Sequence, residues 1–181
     1  MHQRIILDSK KLDLTITRLC HQLIEQHRDF SEAALLGVQP RGVLLADRIH
    51  SKLCSILKKK DIPYGKLDIT FYRDDFRIKG KPMIADETSI NFSLENMNII
   101  LIDDVLYTGR TIRSALDAML DYGRPADVEL LVLIDRRLQR HVPIQAKYVG
   151  KVIDSVTSEK VKVEWKENDG ADKVWMMADK E

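Results

Sequence analysis

The stretch at 99–112, which reads IILIDDVLYTGRTI, constrains the fold of this 181-residue chain more than any other. Its first four residues are apolar and predict a buried parallel strand. Two carboxylates, Asp103 and Asp104, follow that strand, and a short turn with the sequence Thr-Gly-Arg-Thr lies at 108–111. Apolar residues then recur at helical spacing. This order predicts an α/β fold with a central, mostly parallel sheet flanked by helices.

The turn that joins this strand to its helix has the composition of an anion site. Unpaired N–H groups at the start of the helix favour a phosphate. Gly109 allows the backbone to come close, and the hydroxyl groups of Thr108 and Thr111 can donate further hydrogen bonds. The two carboxylates would repel a phosphate unless they hold sugar hydroxyls or a cation. The alternative is an ordinary connection in which Asp and Thr only cap the helix.

Size, charge and cysteine content limit the class of protein. A chain of 181 residues suits one domain of ordinary size, and a net charge of +1 gives no electrostatic argument for nucleic acid. Cys20 and Cys54 lie among apolar neighbours on expected helices, which indicates small core residues in a reducing compartment. No apolar run has the length of a signal peptide core or a membrane span, so we expect a cytoplasmic protein without a membrane partner.

A second strand–loop–helix unit precedes the first. After a helix at 8–27 capped by Asp8, the apolar run at 33–38 predicts a strand, and Gln39-Pro-Arg-Gly42 leads into a helix that ends near Leu57. Arg41 could bind a second anionic group at the carboxyl end of this strand. The alternative is a helix start with an exposed arginine. We hypothesise a cis or otherwise unusual peptide in this loop, because Gln39–Pro40 is an X-Pro bond.

The remaining segments predict a lid and further strands. The alternating residues at 67–72 indicate a strand, and the polar stretch at about 73–96 indicates a lid over an active site, with a disordered hairpin as the alternative. Strands are also predicted at 128–134 and 147–150. Two further strands, at 161–165 and 173–177, can pair across Asp169-Gly170, a strong hairpin signal.

The strand, acid pair and Thr-Gly-Arg-Thr turn resemble the 5-phosphoribosyl-1-pyrophosphate (PRPP) motif of type I phosphoribosyltransferases. Further stretches resemble the PyrR family, bifunctional pyrimidine-operon attenuation regulators that are also uracil phosphoribosyltransferases. They are ITFYRDD at 69–75, LIDDVLYTGRT at 101–111, GRP at 123–125, YVGK at 148–151 and TSEKV at 157–161. The resemblance implies a type I phosphoribosyltransferase fold in one domain over 1–181. It also implies a flexible β-loop at about 73–96 and a small hood that recognises the base at about 142–181.

The activity implied by this resemblance is transfer of ribose 5-phosphate from PRPP to uracil, giving UMP and pyrophosphate, with Mg²⁺ on the PRPP. The implied catalytic residues are Asp103 and Asp104 at the ribose hydroxyls near Mg²⁺, together with Arg41 and Arg73 at the leaving group. The implied PRPP- or UMP-binding residues are Gln39, Pro40, Gly42, Tyr72, Tyr107, Thr108, Gly109, Arg110 and Thr111. Fixed carboxylates suit the positive charge that develops on the ribose, and arginines suit the departing pyrophosphate.

The resemblance implies a second activity, which is binding of the leader mRNA of pyrimidine genes when UMP or UTP is bound. The residues that match this role are Thr17, Arg18, His21 and Lys151. Gln26 and Gln145 stand where the family usually has arginine, and each lost cation weakens contact with phosphates. A homodimer or higher homo-oligomer is also implied.

Three functions therefore remain open at this point. The first is an enzyme that makes UMP, and the second is a nucleotide-responsive RNA-binding regulator with vestigial catalysis. The third is a purine or xanthine phosphoribosyltransferase. Purine-salvage relatives carry an aspartate as candidate general base where this chain has Tyr107. Tyrosine, with an ordinary pKa of about 10, is a poor base near neutral pH, which favours a pyrimidine.

Overall fold

A computed structural model of the chain describes residues 3–74, 87–154 and 159–178. Those residues form two sheets and four α-helices, none of which is both long and apolar enough to cross a membrane. The strands and helices, in chain order, are β1 Gln3–Leu7, α1 Ser9–His27, β2 Ala33–Val38, α2 Gly42–Leu57, β3 Tyr64–Leu67, β4 Asn98–Leu106, α3 Arg110–Met119, β5 Asp127–Arg136, β6 Tyr148–Ile153, β7 Glu159–Glu164, α4 Lys166–Asp169 and β8 Lys173–Ala178.

The larger sheet has five parallel strands in the order β3-β2-β4-β5-β6, with β4 at its centre. Side chains of β4 alternate between two apolar layers, as the pleat of a strand requires. Ile100 and Ile102 pack with residues of α1 and α2, whereas Ile99 and Leu101 pack with residues of α3. The predicted α/β class and parallel sheet are confirmed, and the continuous apolar run at 99–102 follows from burial on both faces.

The smaller sheet has three antiparallel strands in the order β1-β8-β7. Its apolar residues, among them Ile6, Val163 and Val174, join the same buried cluster as α1 and α2. Trp165, at the end of β7, is fully buried in that cluster. The small sheet is therefore anchored on the helical layer, close to the start of α2.

The bounds of the predicted hood differ from this arrangement. The sequence places a hood at about 142–181, but β6 pairs in parallel with β5 and forms the edge of the larger sheet. The third strand of the small sheet is β1, which the sequence analysis does not predict. Only three apolar residues, at 5–7, mark β1, so its strand conformation depends on pairing with β8, a partner distant in sequence.

The strand predicted at 67–72 is also wrong in its position. The strand here, β3, is Tyr64–Leu67, and Thr70–Tyr72 forms a turn of 3₁₀ helix. The side chain of Asp68 explains the change, because its carboxylate accepts hydrogen bonds from the backbone N–H and the hydroxyl of Thr70, at 3.1 and 2.6 Å. Such a local turn competes with strand pairing and ends β3.

The hairpin predicted around Asp169-Gly170 is confirmed in its pairing but not in its connection. Strands β7 and β8 pair antiparallel, and the pair nearest the connection is Glu164 with Lys173. They are joined by the single turn of α4 rather than by a tight two-residue turn, and Gly170 ends that turn with a φ of 77°. A left-handed residue after a helical turn is a common place for glycine, so the same Asp-Gly signal fits both connections.

Half of the predicted lid, residues 75–86, lies outside the described residues. The predicted segment extends to about residue 96, but its end belongs to the body of the fold. Ser89 exchanges two backbone hydrogen bonds of 2.9 Å with Lys66, and Leu94 is fully buried. Apolar residues within this polar stretch anchor it against β3 and the layer of α3.

Candidate functional site

The acid pair lies at the carboxyl end of β4, within the strand rather than after it. Asp103 pairs with Val132 and Leu106 pairs with Asp135, so the ladder between β4 and β5 continues past both carboxylates. Asp103 and Asp104 are only 7% and 8% exposed. Two adjacent acids in a strand point to opposite faces, yet neither is on an open surface.

Burial dominates the electrostatics of this pair. It raises the pKa of Asp103 well above the usual range, and the neighbouring charge of Asp104 raises it further. Burial raises the pKa of Asp104 as well, although the nearby guanidinium of Arg41 opposes that effect. An oxygen of Asp103 also accepts a hydrogen bond of 2.9 Å from the backbone N–H of Asp104. Two buried carboxylates of this kind favour a ligand that brings hydroxyl donors or positive charge.

The carboxylates fit a magnesium ion that arrives with its own phosphate ligands. Within the described ranges, no group of three or more His, Cys, Asp or Glu side chains is arranged to hold a metal ion. Mg²⁺ is often bound through one or two carboxylates, with substrate phosphates and water completing its octahedron. Asp103 and Asp104 have the chemistry of such a partial set of ligands.

The turn after β4 leads directly into α3. Gly109 stands at the N-cap with a φ of 88°, a left-handed conformation that side chains other than glycine rarely adopt. A Cβ atom there would also lie 3.3 Å from Val142. The carbonyl of Thr108 accepts backbone hydrogen bonds from His141, at 2.9 Å, and from Val142, at 3.1 Å. The segment after β5 therefore fixes the turn that leads into α3.

The loop after β2 brings Arg41 to the acid pair. The Gln39–Pro40 peptide is cis, in agreement with the hypothesis from the sequence. The Arg41 guanidinium donates from Nε to Asp104 at 3.3 Å, and from Nη2 to the backbone carbonyl of Val163. Its side chain is still 41% exposed, so one side of the guanidinium remains accessible to a ligand.

Gly42 permits this close approach of α2 to β4. A Cβ atom at Gly42 would lie 2.5 Å from the carbonyl oxygen of Ile102 and 3.0 Å from the Cα atom of Asp103. Both contacts are with backbone, which cannot move without displacing the acid pair. The glycine is thus required by the spacing between the Arg41 loop and the carboxylates, a reason that the sequence alone does not give.

Three predicted site residues lie where the 3₁₀ turn meets α3. The positive charge of Arg73 acts to lower the pKa of Asp103, which places the guanidinium within electrostatic range of the acid pair. Arg110 donates to the carboxylate of Asp74. Tyr72 does not face the phosphate turn, because its phenol donates to Asp121, beyond the other end of α3.

Two arginines that the sequence analysis does not single out lie against the turn. Arg140 donates to the backbone carbonyl of Tyr107 and, at 2.6 Å, to the carboxylate of Asp135. The guanidinium carbon of Arg136 lies 3.9 Å from the centre of the Tyr107 ring. Asp135 and Arg136 stand at the carboxyl end of β5, beside β4, and the rule that ligands gather at that edge of a parallel sheet could have identified them.

The four residues matched to RNA binding lie on α1 and β6. Arg18 donates to the backbone carbonyls of Val149 and Gly150, at 3.2 and 2.6 Å, and so joins the helix to the edge strand beside Lys151. The hydroxyl of Thr17 donates to a carbonyl one turn earlier in α1, and His21 is exposed. These residues form one surface, distinct from the acid pair.

Comparison with known proteins agrees with this geometry. A family model described as "Phosphoribosyl transferase domain" matches residues 2–168. A protein of Deinococcus deserti named "Bifunctional protein PyrR" is 46% identical over 96% of this chain and 95% of its own length. The protein of the same name from Actinobacillus pleuropneumoniae is 40% identical over 99% of both chains.

Among solved structures, the hypoxanthine phosphoribosyltransferase of Trypanosoma cruzi superposes with a TM-score of 0.70 over 98% of this chain and 97% of its own, at 16% identity. A likeness at that identity establishes the fold alone, which is the type I phosphoribosyltransferase fold. The relatives at 40% identity and above, which match almost the full length, establish more. The chain belongs to the PyrR family of proteins with a phosphoribosyl transferase domain.

Proposed function

We propose that this protein is a uracil phosphoribosyltransferase that converts uracil and PRPP to UMP and pyrophosphate. The observation that carries the proposal is the meeting of a buried acid pair, a helix start that can bind phosphate and an arginine at one edge of the sheet. The acid pair is Asp103 with Asp104, the helix start is 108–111, and the arginine is Arg41. PRPP has a ribose, a 5′-phosphate and a pyrophosphate, one group for each of these features.

The roles of the residues follow from the charges in the reaction. Breaking the bond from ribose C1 to pyrophosphate develops positive charge on the ribose, which Asp103 and Asp104 stabilise while they hold the ribose hydroxyls. The turn at 108–111 binds the 5′-phosphate through backbone N–H groups and the hydroxyls of Thr108 and Thr111. Catalysis then rests on positioning and electrostatics, since no side chain in the site needs to form a covalent bond.

The departing pyrophosphate is stabilised by Arg41 and Arg73. Arg41 reaches the acid pair at Asp104, and the positive charge of Arg73 acts to lower the pKa of Asp103. Mg²⁺, when bound with PRPP, adds positive charge at the ribose hydroxyls and the leaving group. Exclusion of water from the site would protect PRPP from hydrolysis.

The choice of uracil rests on Tyr107. The guanidinium of Arg136 packs over its ring, and Arg140 donates a hydrogen bond to its backbone carbonyl. These two contacts fix Tyr107 next to the turn at 108–111. A tyrosine here offers no carboxylate that could take a proton from a purine ring. Incubation with PRPP, Mg²⁺ and either uracil or hypoxanthine, followed by chromatography, should give UMP and no IMP. IMP as the main product would contradict the proposal and favour the purine alternative.

A second activity, nucleotide-dependent binding of leader mRNA, is favoured by the surface of α1 and β6. Arg18 and Lys151 bring positive charge to one face, and Thr17 and His21 add hydrogen-bonding groups beside it. A titration of labelled leader RNA should show tighter binding with UMP present than without it. Equal affinity in both conditions would leave only the transferase. RNA binding without uracil turnover would point to a regulator with vestigial catalysis.

Several further features remain predictions. They are a single domain over 1–181 with a base-recognising hood, a homodimer or higher homo-oligomer, and a cytoplasmic location. The two cysteines are free thiols, Cys20 buried and Cys54 half-buried, and burial raises the pKa of both. Unreactive core thiols suit a reducing compartment and support the last prediction.

A further inference from the structure

The connection between β7 and β8 reaches the proposed pyrophosphate site. Asp169, the last residue of α4, has a carboxylate oxygen 3.5 Å from Nη2 of Arg41. The same guanidinium donates to the carbonyl of Val163 in β7 and to Asp104 in β4. Arg41 therefore contacts two carboxylates, one on β4 of the large sheet and one on α4 between the strands of the small sheet, although the two acids are far apart in the sequence.

The carboxylate of Asp169 is itself fixed in place. It accepts a hydrogen bond of 3.0 Å from the backbone N–H of Trp165, and that bond is the main reason why the pKa of Asp169 lies below its usual range. Its side chain is only 21% exposed. A carboxylate that stays ionised and is bonded to backbone has a defined position from which to orient a cation.

The rest of the connection is braced against α2. Arg48 donates to Glu167 at 2.7 Å and to Asp172 at 2.6 Å, and its guanidinium lies 4.8 Å from the centre of a Trp165 ring. Arg41 is the N-cap residue of α2, and Arg48 lies within the same helix. Both ends of the connection between β7 and β8 therefore contact α2 or its N-cap. The turn of α4 is thus held firmly enough to position a side chain.

Without Asp169, the nearest carboxylate to Arg41 would be Asp104 alone. Because Nε of Arg41 already donates to Asp104 at 3.3 Å, the guanidinium would be drawn toward the ribose carboxylates and away from the leaving group. The carboxylate of Asp169, 3.5 Å from Nη2, is a second anchor for the guanidinium and opposes its displacement toward Asp104.

We propose that Asp169 is a positioning residue, which holds the Arg41 guanidinium in the orientation that binds the pyrophosphate group of PRPP. The proposal rests on the proposed function, since it takes pyrophosphate as the anion that Arg41 meets. Asp169 does not touch substrate and acts through Arg41. The small sheet thereby contributes to binding of PRPP in addition to any contact with the base.

The test compares Asp169→Asn with Glu167→Gln in the full chain. The asparagine keeps an acceptor for the Trp165 N–H but loses the charge that faces Arg41, so the variant should fold with an unchanged melting temperature. Glu167→Gln is the matched control, because it removes a charge from the same turn that faces Arg48 instead. Steady-state kinetics give the KM for PRPP and for uracil, and calorimetry gives the affinity for magnesium pyrophosphate.

Asp169→Asn should raise the KM for PRPP and weaken pyrophosphate binding by roughly fivefold to tenfold, with the KM for uracil unchanged. Glu167→Gln should match the wild type in the KM for PRPP, the KM for uracil and the affinity for magnesium pyrophosphate. Unchanged PRPP and pyrophosphate binding in Asp169→Asn, or an equal loss in both variants, would overturn the proposal. A wild type without uracil-dependent turnover would contradict the proposed function alone, because pyrophosphate binding still decides the role of Asp169.

Discussion

At the scale of single residues, the site is built from groups whose positions oppose stability. Asp103 and Asp104 are ionisable, adjacent and buried, and burial raises the pKa of each. Such a pair is unfavourable in the ligand-free protein and becomes favourable when hydroxyls or a cation share its charge. Because burial of these two carboxylates lowers the stability of the ligand-free protein, their presence is more readily explained by ligand binding than by a role in folding.

Asp104→Asn should lower kcat/KM for PRPP on the order of 10²-fold or more, because a charge that faces the developing positive charge on the ribose is lost. The fold should remain nearly intact, since asparagine leaves no cavity. Asp117→Asn, at an exposed position of α3, serves as the control. Steady-state kinetics and thermal melting measure both effects, and near-normal kinetics in Asp104→Asn would count against the ribose assignment.

Gly42→Ala should destabilise the protein by about 1–3 kcal/mol, because its Cβ would be forced against the backbone of β4. Turnover should fall as well, since the shift displaces the Arg41 loop relative to the acids. Chemical denaturation measures the stability change. Ser51→Ala, an exposed position in the same helix, should change stability by less than about 0.5 kcal/mol. Equal stabilities for the two variants would contradict the prediction, because they would show that α2 and β4 can accommodate a Cβ atom at Gly42 without loss of stability.

The acid pair and the turn can be recognised as a candidate site from the sequence alone, because their residue types and order are local signals. It does not predict Arg136, Arg140 or Asp169 as part of the site. Each of these reaches the site through a contact between residues distant in sequence, such as Asp169 with Arg41. Nothing local distinguishes Arg140 or Asp169 from an ordinary surface charge, whereas Arg136 ends β5, a strand predicted from the sequence, at the edge of the sheet where ligands gather.

At the scale of elements, the sequence predicts the strands with continuous apolar runs correctly, whereas it misses the edge strand β1 and misplaces the edge strand β3. β2, β4 and β5 are buried on both faces, and their sequences show it. β1 and β3 are short, and their extent is set by pairing with β8 and by the Asp68 side chain. Information of this kind resides in tertiary contacts rather than in a local pattern.

Helix α1 and strand β6 carry the residues that we propose bind RNA. Alanine at both Thr17 and His21 should weaken nucleotide-dependent RNA binding severalfold and leave uracil turnover unchanged, since both residues lie outside the acid pair and its turn. Filter binding with leader RNA and a turnover assay measure the two effects separately. Loss of both activities together would mean that this face is structural.

At the scale of the whole molecule, the two ends of the large sheet have different roles. The carboxyl end carries the candidate site, and the amino end carries a buried polar cluster around Glu129. The Glu129 carboxylate lies 2.7 Å from His27 Nε2 and 2.6 Å from the Tyr148 hydroxyl, and it also accepts from Lys147. This cluster ties the end of α1 to β5 and β6.

Glu129→Gln should lower stability by about 3 kcal/mol at pH 7, because removing one partner leaves buried groups uncompensated. Burial acts to raise the pKa of Glu129, but hydrogen bonds from Lys147, Tyr148 and His27 outweigh it and lower the pKa. The stabilisation is therefore present above the ordinary glutamate pKa of about 4.3 and is lost as pH falls through the lower value in the folded protein.

Urea denaturation of the wild type and Glu129→Gln across pH 3–7 measures this difference, with exposed Glu25→Gln as the control. The difference in the free energy of unfolding between the wild type and Glu129→Gln should become smaller as the pH falls. A gap that stays constant with pH would show that the ionised carboxylate is not the stabilising form.

The central claim is that the carboxyl edge of the sheet binds PRPP and transfers its phosphoribosyl group to uracil. The most direct measurement is the rate of pyrophosphate release from PRPP and Mg²⁺ with uracil, with hypoxanthine or with no base. We predict release that depends on uracil and is nearly absent in the other two conditions. No release with any base would contradict the claim and would leave the fold as a nucleotide sensor.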